Sequence, residues 1–135
     1  MALFKRRSDK LVGSELEPLV LPGGETVQVV GESYYQDALD AICGGKCEEG
    51  HQLMCQAELR PEPHNEYDRR AVGVYVEGRK VGHLSREDAA RRQSELLALR
   101  SQGKQPMCSA LISGGWFRGP GDEGHYGIRL DLDWP

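Results

Sequence analysis

Residues 63–88 read PHNEYDRRAVGVYVEGRKVGHLSRED, and their pattern divides into loop, hairpin and helix start. Val72, Val74 and Val76 alternate with other residues, which places them on one face of a strand. Glu77 and Gly78 form a two-residue turn, and residues 80–84 return as the second strand. Gly73 and Gly82 carry no side chains, so another strand, a helix or a ligand can come close to the hairpin there. Ser85 followed by Asp88 at capping-box spacing predicts a helix over the following REDAARRQSELLALR, with Ala89, Leu96, Leu97 and Leu99 among its packed positions. Ahead of the hairpin, Pro61 and Pro63 each lack an amide donor and restrict the residue before them, so PEPHNEYD is a shaped loop.

Outward from this stretch the chain is mostly short strands. ETVQVV alternates as a strand ended by Gly31, and HQLMCQAELR puts Leu53, Cys55, Ala57 and Leu59 on a common face. PMCSALISGGW and HYGIRLDLDW supply two final strands around the loop FRGPGDEG. SYYQDALDAI has Ser33 at an N-cap position and an apolar stripe of Ala38, Leu39, Ala41 and Ile42, which predicts a second, shorter helix. Glycines at 44, 45 and 50 close it. Short strands around two helices predict a mainly β fold with accessory helices, a small curled sheet or barrel whose closure removes exposed edges. Residues 1–24, with mixed charge and the turn Pro22, Gly23, Gly24, read as a flexible arm holding at most one short element around residues 16–21; residues 25–135 read as the domain.

Composition narrows the function classes. The 135 residues fit one domain with a real core, and 39% apolar against 28% charged residues fits neither a membrane protein nor a disordered chain. MALFKRRSDKLV is followed by no apolar run of signal or spanning length, so the expected location is cytoplasmic, away from membranes. The net charge of −4 argues against a polyanionic partner, but residues 60–104 hold ten Arg or Lys against seven Asp or Glu. That local +3 leaves −7 on the other ninety residues and marks a weakly basic face on an acidic protein.

Catalytic motifs are absent from the pattern. Ser85 near His83 lacks the G-x-S-x-G elbow, Cys108 has no specified base, and ICGGKC lacks the order of a phosphate-cradling loop. The carboxylates are scattered, so no acid, base or two-metal role is assigned. Cys43, Cys47, His51 and Cys55 recur every four residues. A zinc site, a Cys43–Cys47 bond and plain reduced thiols all fit that spacing; the helix end at Cys43 and the strand position of Cys55 favour thiols, with no cofactor required.

Binding fits the residues better than catalysis. Tyr34, Tyr35 and Tyr67 offer rings on which bases stack, while Arg69, Arg70 and Arg86 suit backbone phosphate. Asn65 and Asp68 add directional hydrogen bonds, and an aspartate beside nucleic acid needs a donor such as a base edge or a sugar hydroxyl. His83 closes the hairpin next to a helix start, where amide donors are unpaired. The same residues also have structural readings, with one of the paired tyrosines packed inward and Asp68 capping the turn before Ala71. A protein-interaction or scaffold module is the alternative, with Trp116 and Phe117 as contacts.

VVGESYYQDAL (29–39), EPHNEYDRRAVGVYV (62–76) and RKVGHLSREDA (79–89) together resemble the HIRAN domain family, in its standalone bacterial form. The resemblance implies a small OB-like β-barrel with accessory helices, and a nucleic-acid-binding module in a DNA-repair setting that takes single-stranded DNA at its 3'-hydroxyl end. It matches Tyr34 and Tyr35 to a pair of which one ring stacks on the terminal base, and Asn65, Tyr67 and Asp68 to the loop motif, with Asp68 as partner of the 3'-hydroxyl. His83 matches the family's histidine and Arg86 its basic residue at the helix start. Two positions depart from the DNA-binding pattern: Ser33, preceded by Glu32, stands where a basic residue is usual, and Glu66 where a proline is common. The first removes a phosphate contact and the second changes local charge and stiffness.

Overall fold

In chain order, the computed structural model, which describes residues 16–134, contains β1 (Glu17–Val20), β2 (Glu25–Val30), a 3-10 turn (Glu32–Tyr34), α1 (Gln36–Cys43), β3 (His51–Pro61), β4 (Val72–Val76), β5 (Arg79–Leu84), α2 (Arg86–Ser101), β6 (Lys104–Gly114) and β7 (Gly127–Leu132). Six strands close in the order β6, β3, β4, β5, β2, β7 and back to β6, all antiparallel. This is the small barrel that the short strands predict, in the OB-like form that the family resemblance implies. β6 closes it by dividing one edge: residues 104–107 pair with β1 in parallel, and residues 109–113 pair with β7. Strand β1 is the single short element expected near residues 16–21; residues 1–15 of the expected arm lie outside the described residues.

The inward faces follow the two-residue period. Leu59, Val72, Val74, Val76, Val81, Ile112, Ile128, Leu130 and Leu132 are fully buried, and Ala57 and Cys108 fill the narrower places between them. Helix α1 adds Leu39, and α2 adds Ala89 and Leu96. Ser85 caps α2 as its spacing predicts, its hydroxyl accepting from the Asp88 amide at 3.1 Å. Helix α1 starts differently. Gly31, at φ 79°, opens a 3-10 turn that takes in Ser33, and the helix begins at Gln36 with no side-chain cap. Gln36 anchors that start instead: its carboxamide donates to the carbonyls of Glu32 and Tyr126 and accepts from the Tyr126 amide.

The β4–β5 hairpin turns at Glu77 and Gly78, both at positive φ, as a tight two-residue connection requires. Its two interior glycines have separate uses. At Gly73 a Cβ would lie 2.6 Å from the Glu62 carboxylate. At Gly82 it would lie 2.5 Å from Val29 Cγ1 and 2.8 Å from the Val30 carbonyl oxygen. Pairing of β2 with β5 spans only Val29 with Leu84 and Val30 with His83, so Gly82 is where these two strands meet closely enough to close the barrel.

Gly82→Ala is therefore expected to destabilise the fold by about 1–3 kcal/mol through overpacking against backbone that cannot turn aside. Urea denaturation would show a lowered midpoint; a midpoint equal to that of the parent would mean that β2 does not need this close approach.

Candidate nucleic-acid interface

Between β3 and β4 the chain crosses the end of the barrel in a loop organised by one carboxylate. Glu62, half-buried between Pro61 and Pro63, accepts from Lys80 Nζ at 2.6 Å, from Asn65 Nδ2 at 2.9 Å and from His83 Nε2 at 3.2 Å. Its backbone amide donates to the Ala71 carbonyl, and its carbonyl accepts from the Asn65 amide. Burial alone would push the Glu62 carboxyl up, but the hydrogen bonds from Lys80 and Asn65, with the charge of Lys80 and that of His83 when its ring is protonated, hold it below the ordinary carboxylate value. Lys80 responds reciprocally: burial works against its charge, yet the bond to Glu62 and that carboxylate's charge raise it above the ordinary lysine value.

From this hub the loop is built by short-range bonds. Asn65 Oδ1 accepts from the amides of Tyr67 at 2.9 Å and Asp68 at 3.1 Å, an Asx-type turn. Asp68 Oδ1 accepts from the Arg70 amide at 3.0 Å, and its carbonyl accepts from the Ala71 amide, so the capping role read for Asp68 is present. Helix α2 holds the far side through Gln93, a buried polar residue whose Nε2 donates to the carbonyls of Arg69 and Ala71.

Most of the residues singled out in the sequence meet here. Asp68 and Arg86 form an ion pair, with Asp68 Oδ2 3.9 Å from Arg86 Nε and the arginine side chain 85% exposed. These two residues border both of two adjoining clefts. One, of about 320 Å³, is lined by Tyr67, Asp68, Arg70, Arg86 and Ala90; the other, of about 200 Å³, has Asn65, Asp68, His83 and Arg86 over an apolar floor that includes Val30 and Leu84. Tyr67 stands 87% exposed at the rim. The Tyr35 ring sits 6.5 Å from the His83 ring at a tilt of 57°. Tyr34 is 86% exposed and Tyr35 only half-buried, so neither ring of the pair is packed in the core and neither lines a cleft.

Three residues of this arrangement escape the sequence reading. Glu62 lies between two prolines, Lys80 within the hairpin and Gln93 within the helix, and no local pattern singles them out. The spacing of Ala89, Gln93 and Leu96 at i, i+4 and i+7 does put Gln93 on the buried face. Glycine at 73 is the trace that Glu62 leaves in the sequence, because a side chain there would occupy the carboxylate's place.

The cysteine series lies at the other end of β3. His51 Nε2 donates to the Gly45 carbonyl at 2.7 Å, and the exposed Cys47 thiol donates to the Gly50 carbonyl. Burial pushes Cys55 up to about 11 and Cys108 up to about 12, as befits packed thiols, and all four cysteines are free. Among the described residues no group of three or more His, Cys, Asp or Glu is placed to hold a metal ion, and no helix is long and apolar enough to cross a membrane.

A closed β-barrel with a polar, partly cationic cleft beside the start of its long helix is a small binding module in its architecture. The HIRAN domain family model matches residues 24–103, more than half of the chain, and the chain belongs to that family. β6 and β7 lie beyond the matched residues and still supply two of the six barrel strands. Among solved structures the chain is similar to a protein from Lactobacillus plantarum, at 21% identity over 81% of this chain and 94% of that one, with a TM-score of 0.42. It is also similar to the HIRAN domain of human HLTF, at 18% identity over 82% of this chain and 78% of that one, with a TM-score of 0.42. No curated protein matches it.

Glu62→Gln is expected to cost about 2 kcal/mol at pH 7, the scale of hydrogen bonds to a charged group. Because the folded-state carboxyl is held below 4.5, its contribution is present above that value and disappears as the pH falls through the lower folded-state value. Lys80, raised above 10.5, contributes below that value and loses its contribution as the pH rises through the raised one. Urea titrations of parent and variant should show a constant gap at neutral pH that narrows in acid; a gap independent of pH would contradict this role.

Proposed function

We propose that this protein is a non-catalytic nucleic-acid-binding module that takes the 3'-hydroxyl end of single-stranded DNA at the Asp68–Arg86 edge. Membership of the HIRAN family supports the nucleic-acid-binding class. The observation that carries the finer reading is the pairing of an acceptor with a cation where two clefts meet. Asp68 offers a carboxylate to a terminal hydroxyl, and Arg86, mostly exposed beside it, suits the adjoining phosphate. Tyr67 and Tyr34 supply open rings for bases, and Tyr35 braces His83. Asn65 acts mainly through the loop, since its carboxamide oxygen already accepts two amides. Arg69 and Arg70, both exposed, add the cationic surface that the net charge of −4 conceals. Without the basic residue usual at position 33, phosphate attraction rests on Arg86 and its neighbours, so binding is expected to be weak and salt-sensitive.

A second reading, a protein-interaction module, draws on Phe117, which is 45% exposed on the loop between β6 and β7. A partner that survives nuclease treatment, with no oligonucleotide binding, would favour it.

Titration with oligonucleotides ending in a free 3'-hydroxyl, a 3'-phosphate or a blocked 3' end should rank the free hydroxyl first, and Asp68→Ala should erase that ranking. Equal weak binding to all three would sink end recognition. Arg86→Ala should weaken every oligonucleotide and reduce the slope of log K against log salt by about 0.7, the share of one single-strand phosphate contact; an unchanged slope would remove Arg86 from the contact surface.

A further inference from the structure

We infer that Glu62 is a positioning residue that sets the tautomer of His83, and that it thereby makes the smaller cleft select a hydroxyl over a phosphate. The inference rests on the end-recognition reading above and assigns the selectivity to a residue that lines neither cleft. It begins with the 3.2 Å bond between His83 Nε2 and Glu62 Oε1. A carboxylate cannot donate, so the proton of that bond sits on Nε2. A neutral imidazole protonated there has its lone pair on Nδ1, and Nδ1 is the only polar ring atom His83 has left to offer. Lys80 and Asn65 keep Glu62 in its accepting form through bonds of 2.6 and 2.9 Å.

The other groups around the cleft complete the selection. Asp68 gives one oxygen to the Arg70 amide and faces Arg86 with the other across 3.9 Å, which leaves the carboxylate lone pairs for a ligand. The Asn65 carboxamide oxygen is already filled by two amides, Lys80 is committed to Glu62, and Tyr35 approaches His83 as a ring. Beside the second Asn65 amide hydrogen and the Arg86 guanidinium, the cleft offers two acceptors, His83 Nδ1 and the Asp68 carboxylate. A terminal hydroxyl donates to such a pair. A terminal phosphate, whose second proton leaves at a pKa of about 6, is almost wholly the dianion at pH 8, where it has no proton to give and is repelled by Asp68. Arg86 at the border is left to the internucleotide phosphate. The Glu62 carboxylate thus decides which end chemistry is admitted by controlling one proton on a neighbouring ring.

The test has a ligand-free arm and a binding arm, both at pH 8, above the range in which histidines ordinarily become charged. Two-bond ¹H–¹⁵N correlations of the His83 ring in the free wild-type protein should show the proton on Nε2; a proton on Nδ1 would overturn the inference whatever the protein binds. In Glu62→Gln the new amide can donate to the ring, and the Nδ1-protonated form should appear. The preference of the wild type for a 3'-hydroxyl over a 3'-phosphate oligonucleotide should fall at least about tenfold in that variant, the scale of one lost hydrogen bond. A wild type that discriminates, beside a Glu62→Gln variant that discriminates equally, would overturn the role of Glu62 and leave end recognition standing. A wild type with no preference between the two ends would overturn end recognition itself, even with the proton found on Nε2.

Discussion

A single carboxylate in a proline-flanked bend ties together the parts of this protein that its proposed binding edge depends on. Glu62 sits where β3 leaves the barrel, and its oxygens collect a lysine and a histidine from β5 and an asparagine from the loop. Taking such a group partly out of water is costly unless its lone pairs are filled. Three donors fill them, and Gly73 leaves the room. The loop cannot shift without breaking bonds to a half-buried charge, so Asn65, Tyr67 and Asp68 are presented in one arrangement. That is how a segment with no regular secondary structure becomes a shaped surface.

The barrel provides the frame for this arrangement. Gly82 lets β2 approach β5, which closes the sheet directly beneath His83 and Leu84. Ser85 then caps α2 at once, which fixes Arg86 at the first helical position, and Gln93 one stretch further along the helix clasps the carbonyls of Arg69 and Ala71. Acceptor and cation therefore come from different elements that the hairpin, the cap and the buried glutamine hold in register. Of the cations between residues 60 and 104, Arg70 and Arg86 line this edge, while the acidic remainder of the chain suppresses indiscriminate attraction to polyanions.

Much of this was legible in the sequence where one residue type has one dominant physical use. Alternating valines, the Glu77–Gly78 turn, the Ser85 cap and the glycines at 73 and 82 each correspond to a feature of the structure. The start of α1 was misread because Ser33 has the composition of a cap, whereas the left-handed Gly31 commits the chain to a 3-10 turn first. Glu62 and Gln93 were illegible for a different reason. Their importance lies in partners 18 to 24 residues away, and local periodicity carries no information about which distant donor or carbonyl a polar side chain will meet. The tyrosine pair lies between these cases: the sequence marks both rings, and only the packing against His83 distinguishes the braced Tyr35 from the open Tyr34.

The central claim is that the Glu62-organised loop and the start of α2 form the surface on which a nucleic-acid end rests. Backbone and side-chain NMR shifts recorded while a short single-stranded oligonucleotide with a free 3'-hydroxyl is added test this most directly. The account predicts that the largest changes fall on Tyr35, Tyr67, Asp68, His83 and Arg86, with the barrel interior unmoved. Changes confined to the opposite end of β3, around His51 and Trp116, or no changes at saturating oligonucleotide, would contradict it.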